Sequence, residues 1–229
     1  MSSNPLQLLS SMAAREVLRE LTGQYSKMSG QPVHAAAAGG VDVAKRVAGG
    51  EQLDVVVLSD TAIDKLIATG QLAPGRVDIA RSGVGIAVRE GAHQPDVATE
   101  AAVKQAVLAA KTLSYSTGPS GVYLEKLFER WGILATIRAR IVVPPPGTPV
   151  ATLVADGVAE LGFQQLSELL NVPGIEVLGP LPDAIQSITV FSGAVGARCS
   201  RPDAAHSLLA YLASPAAAAA KHRYGMEAA

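Results

Sequence analysis

Cysteine is nearly absent from this 229-residue chain. Cys199 stands alone, which excludes an intrachain disulfide framework and a thiolate metal cluster. Charged residues amount to 17% with a formal net charge of -1, so there is no basic excess of the kind a nucleic-acid partner selects. No apolar run approaches the roughly 18–20 residues that cross a bilayer. The Ala-rich "SPAAAAAKHRYG" reads as a short helix, and membrane insertion is not expected. The opening "MSSNPLQLLSSMAAREVL" lacks the basic segment, apolar stretch and small-residue cleavage site of a secretory leader. The expectation is a cytoplasmic protein as written, or a periplasmic one if a leader has been removed. His34, His93, His206 and His222 are scattered without ligand spacing. With no cofactor fingerprint either, neither a metal nor a cofactor is expected.

Aromatics are scarce at 4%, yet hydrophobic residues reach 48%, carried mostly by Ala, Val and Leu. That composition suits closely packed layers of helix and parallel strand. The order of patterns agrees. Leu6 to Leu9 reads as a strand, and Val17, Leu18, Leu21, Tyr25 and Met28 then recur at helical spacing. "PVHAAAAGG" is a second strand, "VDVAKRVAGG" a helix, "DVVVLSD" a strand buried on both faces, and "TAIDKLIATGQL" a helix. A glycine-interrupted β run, "ARSGVGIAVREG", introduces a second cycle: helix 99–109, strand 112–115, and a helix over 121–131 with Leu124, Leu127, Phe128 and Trp131 on one stripe. "RIVVPPPGTPVATLVADGVAELGFQQLSELL" predicts a strand, a proline-rich turn, a helix, a strand ending at Phe163, and a further helix. After a last β run, "QSITVFSGAVGA", two helices begin at Pro202 and Pro215. Alternating strands and helices imply right-handed crossovers. The predicted fold is α/β with two lobes, 1–82 with 195–229 and 83–194, each a mostly parallel sheet flanked by helices. Two crossing strands join the lobes, and a ligand cleft is expected between them.

The strand ends carry a consistent residue type. Ser10 and Ser11 follow the first strand, Gly39 and Gly40 the second, Ser59 and Asp60 the third, and Ser116, Thr117, Gly118, Pro119, Ser120 and Gly121 open a helix in the second lobe. The first amides of a helix lack intrahelical partners and carry partial positive charge, so small and hydroxylic residues there let an anion approach them. The alternative is ordinary N-capping, for which Ser, Thr and Gly are also the usual residues. "GPSG" is neither a phosphate-binding P-loop nor a "GxSxG" nucleophile elbow, and "GVGIAVREG" lies on a β run rather than opening a helix. Arg81 is a candidate guanidinium for a carboxylate, or else a surface arginine.

"VVVLSDTAIDKLIATGQL", "YSTGPSGVYLEKLFERWGI" and "ELGFQQLSELLNVPGIEVLGPLPDAIQ" together resemble the type II periplasmic-binding-protein fold, in the branch related to the molybdate-binding component of ABC transporters. The resemblance spans nearly the whole chain. It implies an anion held by hydroxyls and main-chain amides at Ser10, Ser11, Gly39, Gly40, Ser59 and Ser116 to Gly121, with Gln164 and Gln165 where such proteins place another contact, and it implies an ABC permease as partner. Molybdate binders tend to carry a tyrosine near that last position. Amides there suggest an organic di- or tricarboxylate instead of a tetrahedral oxyanion. The subgroup is also similar to aconitate isomerase, whose proton shift needs a base. His34 on the second strand and Asp60 at the third strand end are the candidates, while Gln164, Gln165 and Glu168 read as one helix start. Binding a small anion is the leading expectation; an isomerase and a cytoplasmic ligand sensor are the alternatives.

Overall fold

A computed structural model describes residues 4–145 and 147–229. In chain order it contains β1 (Leu6–Ser11), α1 (Arg15–Ser29), β2 (Val33–Ala38), α2 (Gly40–Ala48), β3 (Val55–Ser59), α3 (Asp60–Ala68), β4 (Val77–Arg89), α4 (Glu100–Ala109), β5 (Leu113–Tyr115) and α5 (Pro119–Arg130). There follow α6 (Leu134–Ile137), α7 (Val150–Ala155), β6 (Leu161–Gln165), α8 (Leu166–Leu169), β7 (Ile175–Pro180), β8 (Ile188–Val195), α9 (Pro202–Ala213), α10 (Ala218–Arg223) and β9 (Glu227–Ala228). The chain divides into two compact units. The first takes the residues up to Arg81 together with Val190–Ala229, the second Ser82–Thr189. β4 and β8 each pass from one unit to the other.

In the first unit, β1 pairs in parallel with β2 on one side and β3 on the other, and β8 runs antiparallel beside β3. Strand side chains alternate between faces, and both faces here are apolar. Leu6, Leu8, Val55 and Val57 enter a core with Val17, Leu18 and Leu21 of α1 and Leu208, Leu209 and Leu212 of α9. Leu9, Val56 and Leu58 enter a second core with Val43 and Val47 of α2 and Ile63 and Leu66 of α3. Each such side chain contributes about 1.5–3 kcal/mol by leaving water. This is why "DVVVLSD" reads as a continuous apolar run.

The C-terminal segment is tied back by Asp54. Its carboxylate accepts from the Gln7 amide at 2.8 Å, from the Cys199 thiol at 3.0 Å and from Arg201 at 3.3 Å. Burial and the neighbouring carboxylate push the Cys199 thiol up from its ordinary value, so the lone cysteine is a hydrogen-bonding strut and not an activated nucleophile.

In the second unit, β4 runs antiparallel to β6 and β7, and β5 is parallel to β6. Val84, Ile86, Leu113, Leu124, Phe128 and Phe163 form its main core. The expected strand at "RIVV" is reduced to a single bridge from Ile141 to Leu113. The Val142 amide and carbonyl are still used, by the Leu113 carbonyl at 2.8 Å and the Ser114 hydroxyl at 2.7 Å. Pro144 and Pro145 follow and bring no amide donor to continue the ladder. The strand expected to end at Phe163 continues through Gln165. On β6, Gly162 lets α7 pack close, since a Cβ there would lie 2.4 Å from Val154 Cγ2.

One charge is out of place in the first unit. Lys221 of α10 is fully buried, and its Nζ has no hydrogen-bond partner among the described residues. Burial lowers its pKa from the ordinary lysine value. Folding therefore disfavours the proton on Lys221: the cost is present in full at low pH and is relieved as pH rises through the lowered value toward the ordinary one. Lys221→Met should stabilise the protein by about 1–3 kcal/mol at neutral pH. The gain should shrink in alkaline buffer; thermal unfolding at neutral and alkaline pH checks both. A melting point lowered by the substitution would show that the ammonium has a partner.

Candidate functional site

The parallel register of the first unit brings three strand ends into line. Ser10 lies beside Ala37 and Val57, and Ser11 beside Ala38. With strands about 4.8 Å apart, the ends of β1, β2 and β3 lie within about 10 Å of one another. Each strand turns directly into a helix: β1 through a 3-10 turn (Met12–Ala14) into α1, β2 through Gly39 into α2, and β3 through Ser59 into α3. Gly40 sits against Ser11, since a Cβ on it would lie 3.7 Å from Ser11 Cβ.

The hydroxyls at these junctions do not do what capping residues do. Ser11 and Ser59 occupy the cap positions of their helical segments in extended conformation, yet neither side chain bonds an amide of that segment. By contrast, Thr99 caps α4 in the usual way, accepting from the Ala102 amide at 3.1 Å. Ser11 Oγ is buried and has no partner among the described residues. Ser10 Oγ points to the Ala36 carbonyl at 3.5 Å, and Ser59 Oγ lies 3.4 Å from Thr61 Oγ1, so both have only long contacts. Asp60 follows the capping alternative: its Oδ1 accepts from the Thr61 amide at 2.6 Å.

The second unit has an edge of the same kind. β5 and β6 are parallel with Tyr115 beside Phe163, which places Ser116 next to Gln164 at the carboxyl ends of both strands. Gly118 occupies the cap position of α5, with Pro119 starting the helix and no side-chain cap. Ser116 Oγ and Ser120 Oγ are 2.8 Å apart, with Ser120 buried and Thr117 exposed. Gly121 is obligatory there, because a Cβ would fall 1.6 Å from the Ser116 carbonyl oxygen.

Gln164 and Gln165 stand on β6, with Gln165 also at the cap position of α8, and both are buried. Gln164 Oε1 accepts from the Ala151 amide in the first turn of α7 at 3.3 Å, and its Nε2 donates to Glu168 Oε1 at 2.8 Å. In the amide orientation that satisfies both ends, Gln165 accepts from Thr189 Oγ1 at 2.8 Å and donates to the Ser82 and Gly83 carbonyls at 3.0 and 3.3 Å. It therefore joins the two connecting segments on the side of the second unit.

Two candidates are placed elsewhere. His34 is exposed, bonds Gln7 Oε1 at 3.0 Å, and pairs with Gln7, four residues before Ser11. At about 3.3 Å per residue that is roughly 13 Å from the strand ends, so His34 is not a base for chemistry at this edge. Arg81 is half-exposed and ion-paired with Glu227 of β9 at 3.2 Å, the surface-arginine alternative. Sequence reading missed Ser167. Its hydroxyl is buried beside the end of β6 without a partner among the described residues, while its amide donates to Ser82 Oγ at 3.4 Å. Among the described residues there is no cluster of three or more His, Cys, Asp or Glu that could hold a metal ion, and no helix long and apolar enough to cross a membrane.

The sequence pattern described as "Bacterial extracellular solute-binding protein" matches residues 6–227. The chain belongs to that family. It is 41% identical over 231 residues to a protein named aconitate isomerase from Pseudomonas sp, with 97% of this chain and 87% of that one covered. Among solved structures, it is similar to the periplasmic molybdate-binding protein of Azotobacter vinelandii (TM-score 0.81, 21% identity, 96% of this chain and 98% of that chain). It is also similar to the sulfate-binding protein SubI of Mycobacterium tuberculosis H37Rv (TM-score 0.80, 13% identity, 98% and 86%). The family member described here thus has the type II periplasmic-binding-protein fold that its motifs resemble.

The difference between a capping and a non-capping hydroxyl is measurable. Thr99→Ala should cost about 1 kcal/mol by removing a working cap. Ser11→Ala removes a buried, unpartnered hydroxyl and should leave the ligand-free protein as stable as before, or more stable by up to about 1 kcal/mol. Chemical unfolding of the two variants checks this. A Ser11→Ala loss as large as that of Thr99→Ala would show that Ser11 is structural.

Proposed function

We propose that this protein binds a small, multiply charged organic anion, a di- or tricarboxylate, through neutral donors. The first unit offers the hydroxyls of Ser10, Ser11 and Ser59 with the helix starts at Gly39 and Gly40, and the second unit offers a like set at Ser116, Gly118, Ser120 and Gly121. The observation that carries this reading is the buried, unpartnered Ser11 hydroxyl among helix starts whose cap residues, Ser11, Gly39 and Ser59, make no side-chain cap bond. A hydrogen bond to a charged group is worth about 1.5–3 kcal/mol, so five or six of them reach the roughly 8 kcal/mol of a micromolar complex after ordering costs. No lysine or arginine is needed.

Carboxylate is preferred over a tetrahedral oxyanion because the 41%-identical relative is named for an unsaturated tricarboxylate. The same relative supports a second reading, that this chain isomerises such a ligand as well as binding it. Delivery of the ligand to a membrane permease is the finer part of the binding reading, supported by the family alone.

Thermal-shift titration with trans-aconitate, citrate, sulfate and molybdate tests the class. A ligand at 100 times its Kd raises stability by about 2.7 kcal/mol, which for a chain of this length is roughly 5–10 °C. We expect the tricarboxylates to give that shift and sulfate and molybdate to give little. A shift with molybdate or sulfate alone would return the protein to the oxyanion class.

A further inference from the structure

We infer that Glu168 is the catalytic base of a 1,3-proton shift on an unsaturated tricarboxylate, held in place by Gln164 as a positioning residue. The inference rests on the second reading above, in which the ligand is also a substrate. It is carried by an arrangement in the second unit that ligand binding does not require. Gln164 is buried on β6, its Oε1 fixed by the Ala151 amide of α7, and its Nε2 is aimed at Glu168 Oε1 at 2.8 Å. A carboxylate gripped by an amide that is itself gripped by the backbone has a fixed direction, which is the relation of base and orienting group that proton abstraction needs.

Position supports the assignment. Register sets Gln164 beside Ser116 at the carboxyl edge of β5 and β6, and Glu168 follows on the short α8 at the same strand end. Next to it, Ser167 supplies an independent sign of a ligand: a hydroxyl in a residue more than nine-tenths buried, with no partner among the described residues. For a site that only binds anions, a carboxylate at this place is a disadvantage, since like charges repel. Asp60, the other acid at a strand end, is committed to the Thr61 amide of its own helix.

The step balances without any co-reactant. The Glu168 carboxylate takes a proton from the methylene carbon that lies between one carboxylate and the double bond. The C–H electron pair becomes a new C=C bond, the old π pair moves to the far alkene carbon, and the charge is shared with the adjoining carboxylate. Protonated Glu168 then returns its proton to that far carbon. One C–H bond breaks and one forms, the double bond moves by one position, and nothing is oxidised or reduced. Neutral donors at the same strand end, Ser116 and Ser167 among them, are available to the charge that develops on the carboxylate oxygens.

The test uses the full chain and trans-aconitate as probe, with the cis isomer followed by proton NMR and binding followed by thermal shift. Wild type should bind and turn over. Glu168→Gln should still bind with an undiminished melting temperature while turnover falls by about 10²–10⁴-fold. Gln164→Met should lower kcat tenfold or more with KM within about twofold, a split that loss of structure alone would not give. If Glu168→Gln fails to fold, Glu168→Asp keeps the charge, retracts it by one methylene, and should still lose at least tenfold in kcat. Binding by wild type without any turnover, or turnover that survives Glu168→Gln, overturns the assignment of the base and leaves the binding function intact. Absence of both binding and turnover overturns the tricarboxylate reading and the base together.

Discussion

The parallel pairing of β1 with β2 and β3 is the constraint from which the first unit's chemistry follows. Parallel strands end on the same side of a sheet, and the register sets Ser11 level with Ala38 and Ser10 level with Val57. Shifting one strand by a single residue would move Leu6 and Leu8 out of the core they share with α1 and pull Ser11 away from Gly40 together. Because both faces of β1 and β3 are buried, such a slip between them is opposed from both sides. The hydrophobic cores therefore hold the hydroxyls in position, and the site inherits its precision from Leu, Val and Ile residues that never touch a ligand.

A site made of amides and hydroxyls behaves differently from one made of arginines. Helix starts point fixed partial charges at the guest and need little reorganisation when it arrives. Arg81, paired with Glu227, is not needed as a counter-ion in such a scheme. Neutral donors set a distance and a direction, and the spacing of the donors, more than their charge, selects the guest.

Much of this was legible in the chain. The apolar runs at Leu6 to Leu9 and Val55 to Leu58 and the stretch ending at Gly39 and Gly40 located the parallel strands, and the small residues after each of them located the helix starts. "STGPSG" was readable because Pro119 suits the first turn and Gly121 admits the Ser116 carbonyl, both local effects. What was not legible depended on tertiary position. Capping and ligand binding call for the same residues, so only the direction of the Ser11 and Ser59 side chains separates them from Thr99. Gln164 and Gln165 continue a strand that looked finished at Phe163, because the partner β4 extends the ladder to Val84. His34 sat a few letters from Gly39, and in a strand a few letters are many ångströms. Lys221 gave no signal at all, since an Ala-rich helix with a lysine normally sends it to solvent.

The distance between a binder and an isomerase on this scaffold is short in chemical terms. Anion sites already supply the donors that steady a developing negative charge; what they lack is a base, and a free carboxylate in an anion site is repelled along with its guest. The geometry at β6 answers that difficulty. Gln164 gives Glu168 a hydrogen bond of the kind an anion would otherwise compete for, so the carboxylate keeps its place when a second negative charge arrives. The α7 amide that fixes Gln164 comes within reach only because Gly162 lets that helix lie close to the strand. A packing choice at a residue with no side chain thus bears on which way a carboxylate faces, and through it on whether the bound anion leaves unchanged.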